Sequence, residues 1–345
     1  MKTFVIILLA LVAATGNGFS QNLIAVQNGG EPKFYQQVDD AIVNAQDGDT
    51  IYIPGGNWNI SQQINKRLHL VGVGHNPDAT SATFPTTLNS ITLAAGAGSG
   101  SLTGIYLKNG IRGTNDPVNS YTIFRCRISG DIVSHSNFNF VQNVLEGIIA
   151  SGPNYDSATN CSFLNNIINT NFYSDSKSPF INSIFKNNIF LRGSGCYLDC
   201  FYNIKGQYLL VENNIFLTFD DTGQVTFSDV SNSTAKNNLF VERFPFPNGT
   251  TNVDSKNITG QPQSTIFVNQ EGNTFNYTHD YHLQINSSGK NAGTDGTDVG
   301  IYGGIYPWKE GSIPFNPHFQ QVQVSPKTDA NGNLNVNIKV EAQER

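Results

Sequence analysis

Charged residues are scarce in this chain, and Met, Trp and Cys are rare. Lys, Arg, Asp and Glu make up 13% of the 345 residues, whereas soluble proteins average about 25%. Met occurs once, Trp twice and Cys four times, while Gly is abundant at 33 residues. This composition indicates a β-rich protein with Asn and Gly turns. The net charge of -6 leaves no basic surface, so we expect neither nucleic acid nor anionic membrane as a partner.

Long apolar runs are also missing, apart from one at the start of the chain. Lys2 precedes an apolar stretch over residues 4–14, which small and polar residues follow up to Ser20. This pattern is typical of a secretory signal peptide (1–20) cleaved near Ser20, although a buried first strand would also be apolar. The run is too short to span a bilayer. We therefore expect a secreted protein, extracellular, periplasmic or on the cell surface, without a transmembrane segment.

The four cysteines are permitted to form disulfides in an exported chain. Cys196 and Cys200 are close enough to bridge a small loop, but two buried free thiols explain them equally well. We expect free thiols at Cys126 and Cys161. The scattered histidines predict no metal site.

A short motif with two asparagines repeats through the middle of the chain. Lys186–Phe190 (KNNIF) returns as Glu212–Phe216 (ENNIF) and Lys236–Phe240 (KNNLF). The apolar residue after the pair anchors seven repeats, 16 to 26 residues apart, at Ile105, Ile128, Val144, Ile167, Ile189, Ile215 and Leu239. Asn precedes five of these anchors, and Gly104 and Arg127 are the exceptions. Such a period predicts stacked coils in which Asn side chains form a ladder.

The N-terminal region carries a resemblance to a known fold. Val38, Ala41, Ile42 and Ala45 have helical spacing, and a turn and the strand-like Thr50–Ile53 follow. Together they resemble the cap and first coil of the pectin-lyase-like right-handed parallel β-helix superfamily. The resemblance implies an all-β fold: a right-handed single-stranded parallel β-helix (solenoid) with an N-terminal helical cap and a C-terminal β closure. It covers roughly residues 33–244 and implies no single activity, because the fold carries lyases, hydrolases, esterases and binding proteins.

The C-terminal part departs from the repeat. Residues 292–304 resemble the closing segment of exported β-helix proteins, so we predict a β-helix domain over 21–310. Alternating apolar residues between Phe319 and Ala342 predict a β-hairpin in a tail over 311–345. We expect this hairpin to cap the C-terminal end of the solenoid or to join a small β appendage.

Four charged residues are the candidates for catalysis. The β-helix lyases that the chain resembles abstract a proton beside a uronate carboxylate, with a basic residue and a cation or Arg to neutralise charge. Arg125, Arg127, Asp131 and Glu146 are the best local match, because Arg127 interrupts the Asn column and Glu146 an aliphatic one. The alternative is an ion pair that bridges two coils. We expect no cofactor, or calcium if the chain is a lyase.

Other polar motifs favour structural interpretations. Asp220-Asp221 lacks the companion motifs of the β-helix hydrolases. Lys186, Glu212 and Lys236 share a column and predict a surface charge ladder. Asp295–Asp298 predicts a tight turn rather than a calcium loop.

Aromatic residues beside the repeats point to carbohydrate. Tyr155, Tyr173, Tyr197 and Tyr202 stand near Asn and Asp, and such rings stack on sugars, although they could equally pack loops against the coils. We expect a monomer that interacts with extracellular or cell-envelope polysaccharide. The alternatives are a uronate lyase and a structural surface protein or adhesin.

Overall fold

A computed structural model describes residues 23–114, 116–151, 157–170, 172–173, 180–191, 206–217, 230–241 and 251–341. These ranges leave out the signal peptide predicted at 1–20. They also leave out five of the residues singled out above, which are Tyr155, Cys196, Tyr197, Cys200 and Tyr202. The described residues contain one α-helix, Val38–Asn44, and two 3-10 helices, Gln263–Thr265 and Glu310–Ser312. None of these helices is long and apolar enough to cross a membrane.

The described strands form a solenoid of stacked parallel sheets, which confirms the predicted fold class. Sheet A comprises Ile24–Gln27, Lys33–Tyr35, Thr50–Tyr52, His69–Val71, Ser101–Thr103, Thr122–Phe124, Asn139–Val141, Ser162–Leu164, Ile184–Lys186, Leu210–Glu212, Thr234–Lys236 and Val253–Ser255. Sheet B comprises Gly56–Trp58, Thr86–Leu88, Tyr106–Leu107, Arg127–Ile128, Val144–Leu145, Ile167–Ile168, Ile189–Phe190, Ile215–Phe216 and Leu239–Phe240.

Shorter sheets complete each coil. Sheet C comprises Gln63–Ile64, Ile91–Leu93, Ile111–Gly113, Ile132–Ser134, Ile149–Ser151 and Phe172–Tyr173. Sheet D comprises Ala158–Thr159, Phe180–Ile181, Gly206–Gln207 and Val230–Ser231. Two antiparallel pairs, Phe267–Asn269 with Asp280–Leu283 and His318–Val324 with Val336–Glu341, lie outside the stack.

The core of the solenoid consists of side chains that repeat from coil to coil. In sheet A, the rings of Phe140 and Phe185 stack on either side of Phe163, with centroids 4.6 and 4.7 Å away. At the N-terminal end, the helix Val38–Asn44 buries Val38, Ala41 and Ile42. The strand Ile24–Gln27 pairs antiparallel with Thr50–Tyr52 and so covers the first parallel edge.

The second position of each corner pair forms the predicted internal ladder, with members Asn143, Asn166, Asn188, Asn214, Asn238 and Asn257. The Asn188 side-chain oxygen accepts from the Asn166 backbone N–H at 2.9 Å and from its amide at 3.0 Å. Its own amide donates to the Phe163 carbonyl at 2.8 Å. This ladder satisfies buried backbone groups at the corner between sheets A and B, which explains the repeat.

The strand register corrects the alignment of the first two repeats. Tyr106, Arg127, Val144 and Ile167 are paired neighbours in sheet B. The anchors at Ile105 and Ile128 were therefore each wrong by one residue, and Cys126 occupies the Asn column instead of Arg127. Its backbone N–H donates to the Asn143 side chain at 2.8 Å.

The reason for the error lies in the backbone of the corner. The first Asn of each pair has a positive φ, for example 54° at Asn165 and 57° at Asn187, which Asn tolerates well. Gly104 and Arg125, at the corners of the two misaligned repeats, adopt the same conformation, with φ of 64° and 50°. The corner therefore persists where its asparagine signature is missing.

The predicted closing segment is part of a longer strap, residues 259–316, that covers the outside of sheet B. Ile266, Phe267, Tyr281, Leu283, Val299 and Ile301 of the strap form a second apolar cluster with Val144, Ile167, Ile189, Leu191, Ile215, Leu217, Leu239 and Val241. The strap runs back from the late coils towards the early ones. Asn237, in a late coil, donates to the Ala292 carbonyl, whereas Gln142, in an earlier coil, donates to the carbonyls of Tyr306 and Pro307 further along the strap.

The predicted hairpin is present, but it does not cap the C-terminal end. Pro314 precedes the hairpin and lies against Gly104 of an early coil. A Cβ added at Gly104 would come within 2.2 Å of the Pro314 ring. The chain therefore leaves the solenoid beside an early coil. The side chains described in the hairpin strands are all exposed, so the hairpin does not pack on the coils.

Candidate functional site

Arg127 and Glu146 meet on the outer face of sheet B. The Arg127 Nε and Nη2 groups donate to Glu146 Oε2 and Oε1, each at 2.9 Å. The Ser129 hydroxyl also donates to the Glu146 carboxylate. Both charged side chains are largely buried, with 22% and 16% of their surface exposed. The two residues thus form a two-point ion pair that bridges neighbouring coils.

Aromatic residues of the strap cover this pair. The Arg127 Cζ lies 5.3 Å from the ring centroid of Phe275, 5.2 Å from that of Tyr277 and 5.2 Å from that of Tyr106. Burial lowers the pKa of Arg127, but hydrogen bonds with Glu146 and Tyr277 outweigh it, and the net shift is upward. A raised pKa opposes the loss of a proton that a general base needs.

Arg125 lies at the corner between sheets A and B and holds the strap. Its Nε donates to Gln142 Oε1 and its Nη1 to the Ile313 carbonyl, both at 2.7 Å. The guanidinium Cζ lies 4.6 Å from the Phe124 ring centroid and 4.2 Å from that of Phe315. Burial lowers the pKa of Arg125 to about 10, which leaves it charged at neutral pH.

Arg125 precedes the sheet B strand Arg127–Ile128, whereas Asp131 follows that strand, in the turn that leads to sheet C. It is exposed, and its carboxylate accepts the Ile148 backbone N–H at 3.0 Å. The structure therefore brings Arg127 and Glu146 together, places Arg125 at the strap corner and leaves Asp131 in a separate turn.

The charged column around Glu212 and the turn at Asp295 are in structural positions, and Asp220-Asp221 lies outside the described residues. Glu212 accepts from Lys186 at 2.8 Å and from Lys236 at 3.0 Å, as the shared column predicted, but Glu212 is buried rather than at the surface. Burial raises the pKa of Glu212, but hydrogen bonds from Lys186, Thr294 and Lys236 lower it overall. The Asp295 carboxylate accepts from the Thr297 hydroxyl at 2.6 Å within the predicted turn.

Two of the four cysteines lie among the described residues. Cys126 and Cys161 are buried free thiols, as predicted. Among the described residues, no group of three or more His, Cys, Asp and Glu side chains could hold a metal ion. The backbone of Tyr173 pairs with Ala150 in sheet C, and its side chain lies outside the described part of the chain.

A second surface, which the motif analysis missed, runs along the outside of sheet A. We name it the polar ladder, and its members are Thr50, His69, Ser101, Thr122, Asn139 and Ser162. His69 Nδ1 lies 2.8 Å from the Ser101 hydroxyl, and the Ser162 hydroxyl donates to Asn139 at 2.7 Å. All six side chains are partly exposed. Burial, and then the charge of Arg67, lowers the pKa of His69, which keeps this ladder uncharged at neutral pH.

The signal for the polar ladder is a fixed position in the repeat. Ser101, Thr122, Asn139 and Ser162 each stand four residues before the Asn-column position of the same coil. Coils in a parallel stack are about 4.8 Å apart, so the six members extend over about 24 Å. In the three-residue strands, apolar side chains that point inward alternate with polar side chains that point outward. This alternation could have located the polar ladder in the sequence.

Comparison of the chain with protein-family models, with curated proteins and with solved structures gives no match.

Proposed function

We propose that this chain is an exported β-helix protein that binds extracellular or cell-envelope polysaccharide without catalysing a reaction on it. The observation that carries the proposal is the polar ladder, which offers hydroxyl, amide and imidazole groups on six successive coils of one uncharged surface. A linear polymer with hydroxyl groups on every ring can contact several coils at once, and many weak contacts then add up.

The chemistry of the polar ladder favours a neutral glycan. Its members donate and accept hydrogen bonds, and Lys186 is the first charged residue in the neighbouring outward column of sheet A along the coils. A uronate polymer would need cations to balance its carboxylates. The resemblance to the pectin-lyase-like superfamily and the predicted signal peptide support an extracellular glycan. Tyr155, Tyr173, Tyr197 and Tyr202 remain predicted stacking residues.

The lyase alternative assigns the reaction to Arg125, Arg127, Asp131 and Glu146. Its requirement is a basic group that is free to reach the substrate, whereas Arg127 and Glu146 bind each other under Phe275 and Tyr277. This geometry favours binding over catalysis. An increase in ultraviolet absorbance from unsaturated uronate, on acidic polymers with and without calcium, would instead support the lyase. A structural surface protein or adhesin is favoured if neither binding nor cleavage is found.

Affinity electrophoresis of the mature chain in gels that contain neutral or acidic polysaccharides tests the proposal. The variant Thr122→Val/Asn139→Leu removes two polar groups with little change of shape. We expect about a tenfold loss of affinity, since a hydrogen bond contributes about 0.5–1.5 kcal/mol.

The matched control is Thr234→Val, in the same strand position but between Leu210 and Val253, outside the polar ladder. We expect the control to bind as the unmodified chain does. The proposal fails if no polymer retards the unmodified chain, or if the control loses as much affinity as the double variant.

A further inference from the structure

An apolar column runs beside the polar ladder on the outer face of sheet A. Each parallel strand contributes its third residue to this column, two positions after its member of the polar ladder. In the two strands of the N-terminal cap, Ala25 pairs with Tyr52 and with Phe34, so the column continues to the edge of the sheet. Its members, which are apolar or aromatic except for Thr103, are Phe34, Ala25, Tyr52, Val71, Thr103, Phe124, Val141 and Leu164.

The N-terminal part of the apolar column is open and aromatic. Phe34 is 58% exposed and Tyr52 is 38% exposed, and Ala25 between them has a small side chain. Neighbouring strands are about 4.8 Å apart, so the two aromatic side chains are about 10 Å apart along the column. Further along, Phe315 of the strap stacks on Phe124, with ring centroids 5.4 Å apart. The open stretch of the column therefore ends before Phe124.

The apolar column and the polar ladder together match the two kinds of surface on a sugar ring. A pyranose ring has apolar C–H groups on its faces and hydroxyl groups at its edges, and aromatic side chains stack on such faces. Alternate residues of a strand are about 6.6 Å apart, so a ring that lies on Tyr52 or Val71 has one edge beside Thr50 or His69. A neutral sugar therefore meets stacking partners and hydrogen-bond partners side by side.

The direction of the two columns restricts the shape of the ligand. Both columns cross the strands and follow the axis of the solenoid, so a ligand that contacts several coils must be straight. Successive coils are about 4.8 Å apart, which is close to the length that one ring adds to a fully extended glycan. Chains with β-1,4 linkages between equatorial positions are extended ribbons. Chains with α-1,4 linkages curl into helices and would leave the surface after a few rings.

We propose that the polar ladder and the open stretch of the apolar column bind a neutral, β-1,4-linked glycan as an extended ribbon, with Phe34 and Tyr52 as its stacking residues. This inference rests on the proposed function and names its ligand class. The polymer lies along the solenoid axis, with ring faces on the apolar column and one edge of hydroxyl groups on the polar ladder. Several rings bind at once, and their contacts add up along the polymer.

Affinity electrophoresis of the mature chain tests the ligand class. The gels contain the β-1,4-linked polymers hydroxyethylcellulose, arabinoxylan and glucomannan, the α-linked polymers pullulan, dextran and glycogen, or acidic polysaccharides. We expect a β-1,4-linked polymer to retard the chain with about tenfold higher affinity than any α-linked one. Equal retardation by both groups, or retardation by α-linked or acidic polymers alone, overturns this inference and leaves binding of polysaccharide in place. A chain that no polymer retards overturns both.

Variants of Tyr52 test the stacking contact. Tyr52→Leu removes the aromatic ring but keeps an apolar side chain, so we expect about tenfold weaker affinity for the β-linked polymer. Tyr52→Phe keeps the ring and should bind as the unmodified chain does. Phe34→Leu, at a more exposed position of the cap, should weaken binding as Tyr52→Leu does.

The matched control is Tyr306→Leu, which removes a tyrosine that is 48% exposed on the strap. We expect this control to bind as the unmodified chain does. Unchanged affinity in both Tyr52→Leu and Phe34→Leu, or an equal loss in Tyr306→Leu, would show that the glycan does not stack on the apolar column, and the inference would fail.

Discussion

The guanidinium of Arg127 and the carboxylate of Glu146 make a two-point contact between adjacent coils, with both N–O distances at 2.9 Å. From the coil of Ile189 onward the equivalent positions are aliphatic, with Ile189 and Leu191 as one example, and the strap packs on them directly. An ion pair thus replaces a hydrophobic contact at one point of the interface between the strap and sheet B.

Glu146→Leu should destabilise the fold, because it leaves the partly buried Arg127 charge without its counter-charge. We expect a loss of about 3 kcal/mol in the free energy of unfolding, measured in urea. The double variant Arg127→Leu/Glu146→Leu should recover most of this loss, since no unpaired charge is then left and Val144, the neighbour of Arg127 in sheet B, is apolar. A single variant as stable as the unmodified chain would show that the pair does not support the strap.

The two asparagines of each pair should differ sharply in their contribution to stability. Asn188→Ala removes a buried amide that serves two coils and leaves the Asn166 backbone N–H without its acceptor. We expect a loss of about 3 kcal/mol in urea unfolding. Asn187→Gly keeps the positive φ and removes only the 3.1 Å contact with the Gly300 carbonyl, so a loss of about 1 kcal/mol is expected. Equal losses would contradict the division of roles.

Most of the solenoid could be predicted from the sequence, because the residues that specify each coil are close together in the sequence and recur in the next coil. An Asn column and its aliphatic neighbours recur once per coil, and this period is visible without the structure. The register failed only at the corners of Gly104 and Arg125, where residues other than Asn adopt the left-handed conformation that Asn marks elsewhere. Local periodicity cannot reveal such a substitution, since the backbone conformation is kept by neighbouring coils.

The strap and the environment of the candidate site could not be predicted in the same way. The proximity of Arg127 and Glu146 followed from two adjacent departures from the repeat. Their cover comes from Phe275 and Tyr277, in a segment without a repeat and more than 120 residues further along the chain. The sequence repeat therefore does not indicate that Phe275 and Tyr277 contact sheet B.

Loss of one strap anchor should loosen the strap without unfolding the coils. The Asn165 amide donates to the Ile301 and Gly303 carbonyls, both at 2.8 Å. Asn165→Gly keeps the backbone conformation and removes both bonds, so we expect about tenfold faster hydrogen exchange in the strap near residues 299–304. Asn160→Gly is the control, because Asn160 has a similar φ of 56° at an exposed corner away from the strap. Equal exchange in both variants would show that the strap does not depend on this anchor.

A histidine beneath the strap should make stability fall in mild acid. His75 is 2% exposed, and its Nδ1 lies 3.0 Å from the Tyr277 hydroxyl. Its Nε2 has no hydrogen-bond partner among the described residues. Burial, and then the charge of Arg127, lowers the pKa of His75 from 6.5 to about 3.

The sign of the pH effect follows from this shift. Between about pH 6.5 and 3 the unfolded chain binds a proton at residue 75 that the folded chain rejects. The stabilisation is therefore complete above pH 6.5 and falls as the pH drops, by about 1.4 kcal/mol per pH unit for one such group. From pH 6.5 to 5 we expect about 2 kcal/mol to be lost in urea unfolding, in a range where most carboxylates stay ionised. His75→Gln should remove this part of the slope, and parallel curves for the two chains would show that residue 75 does not couple folding to protons.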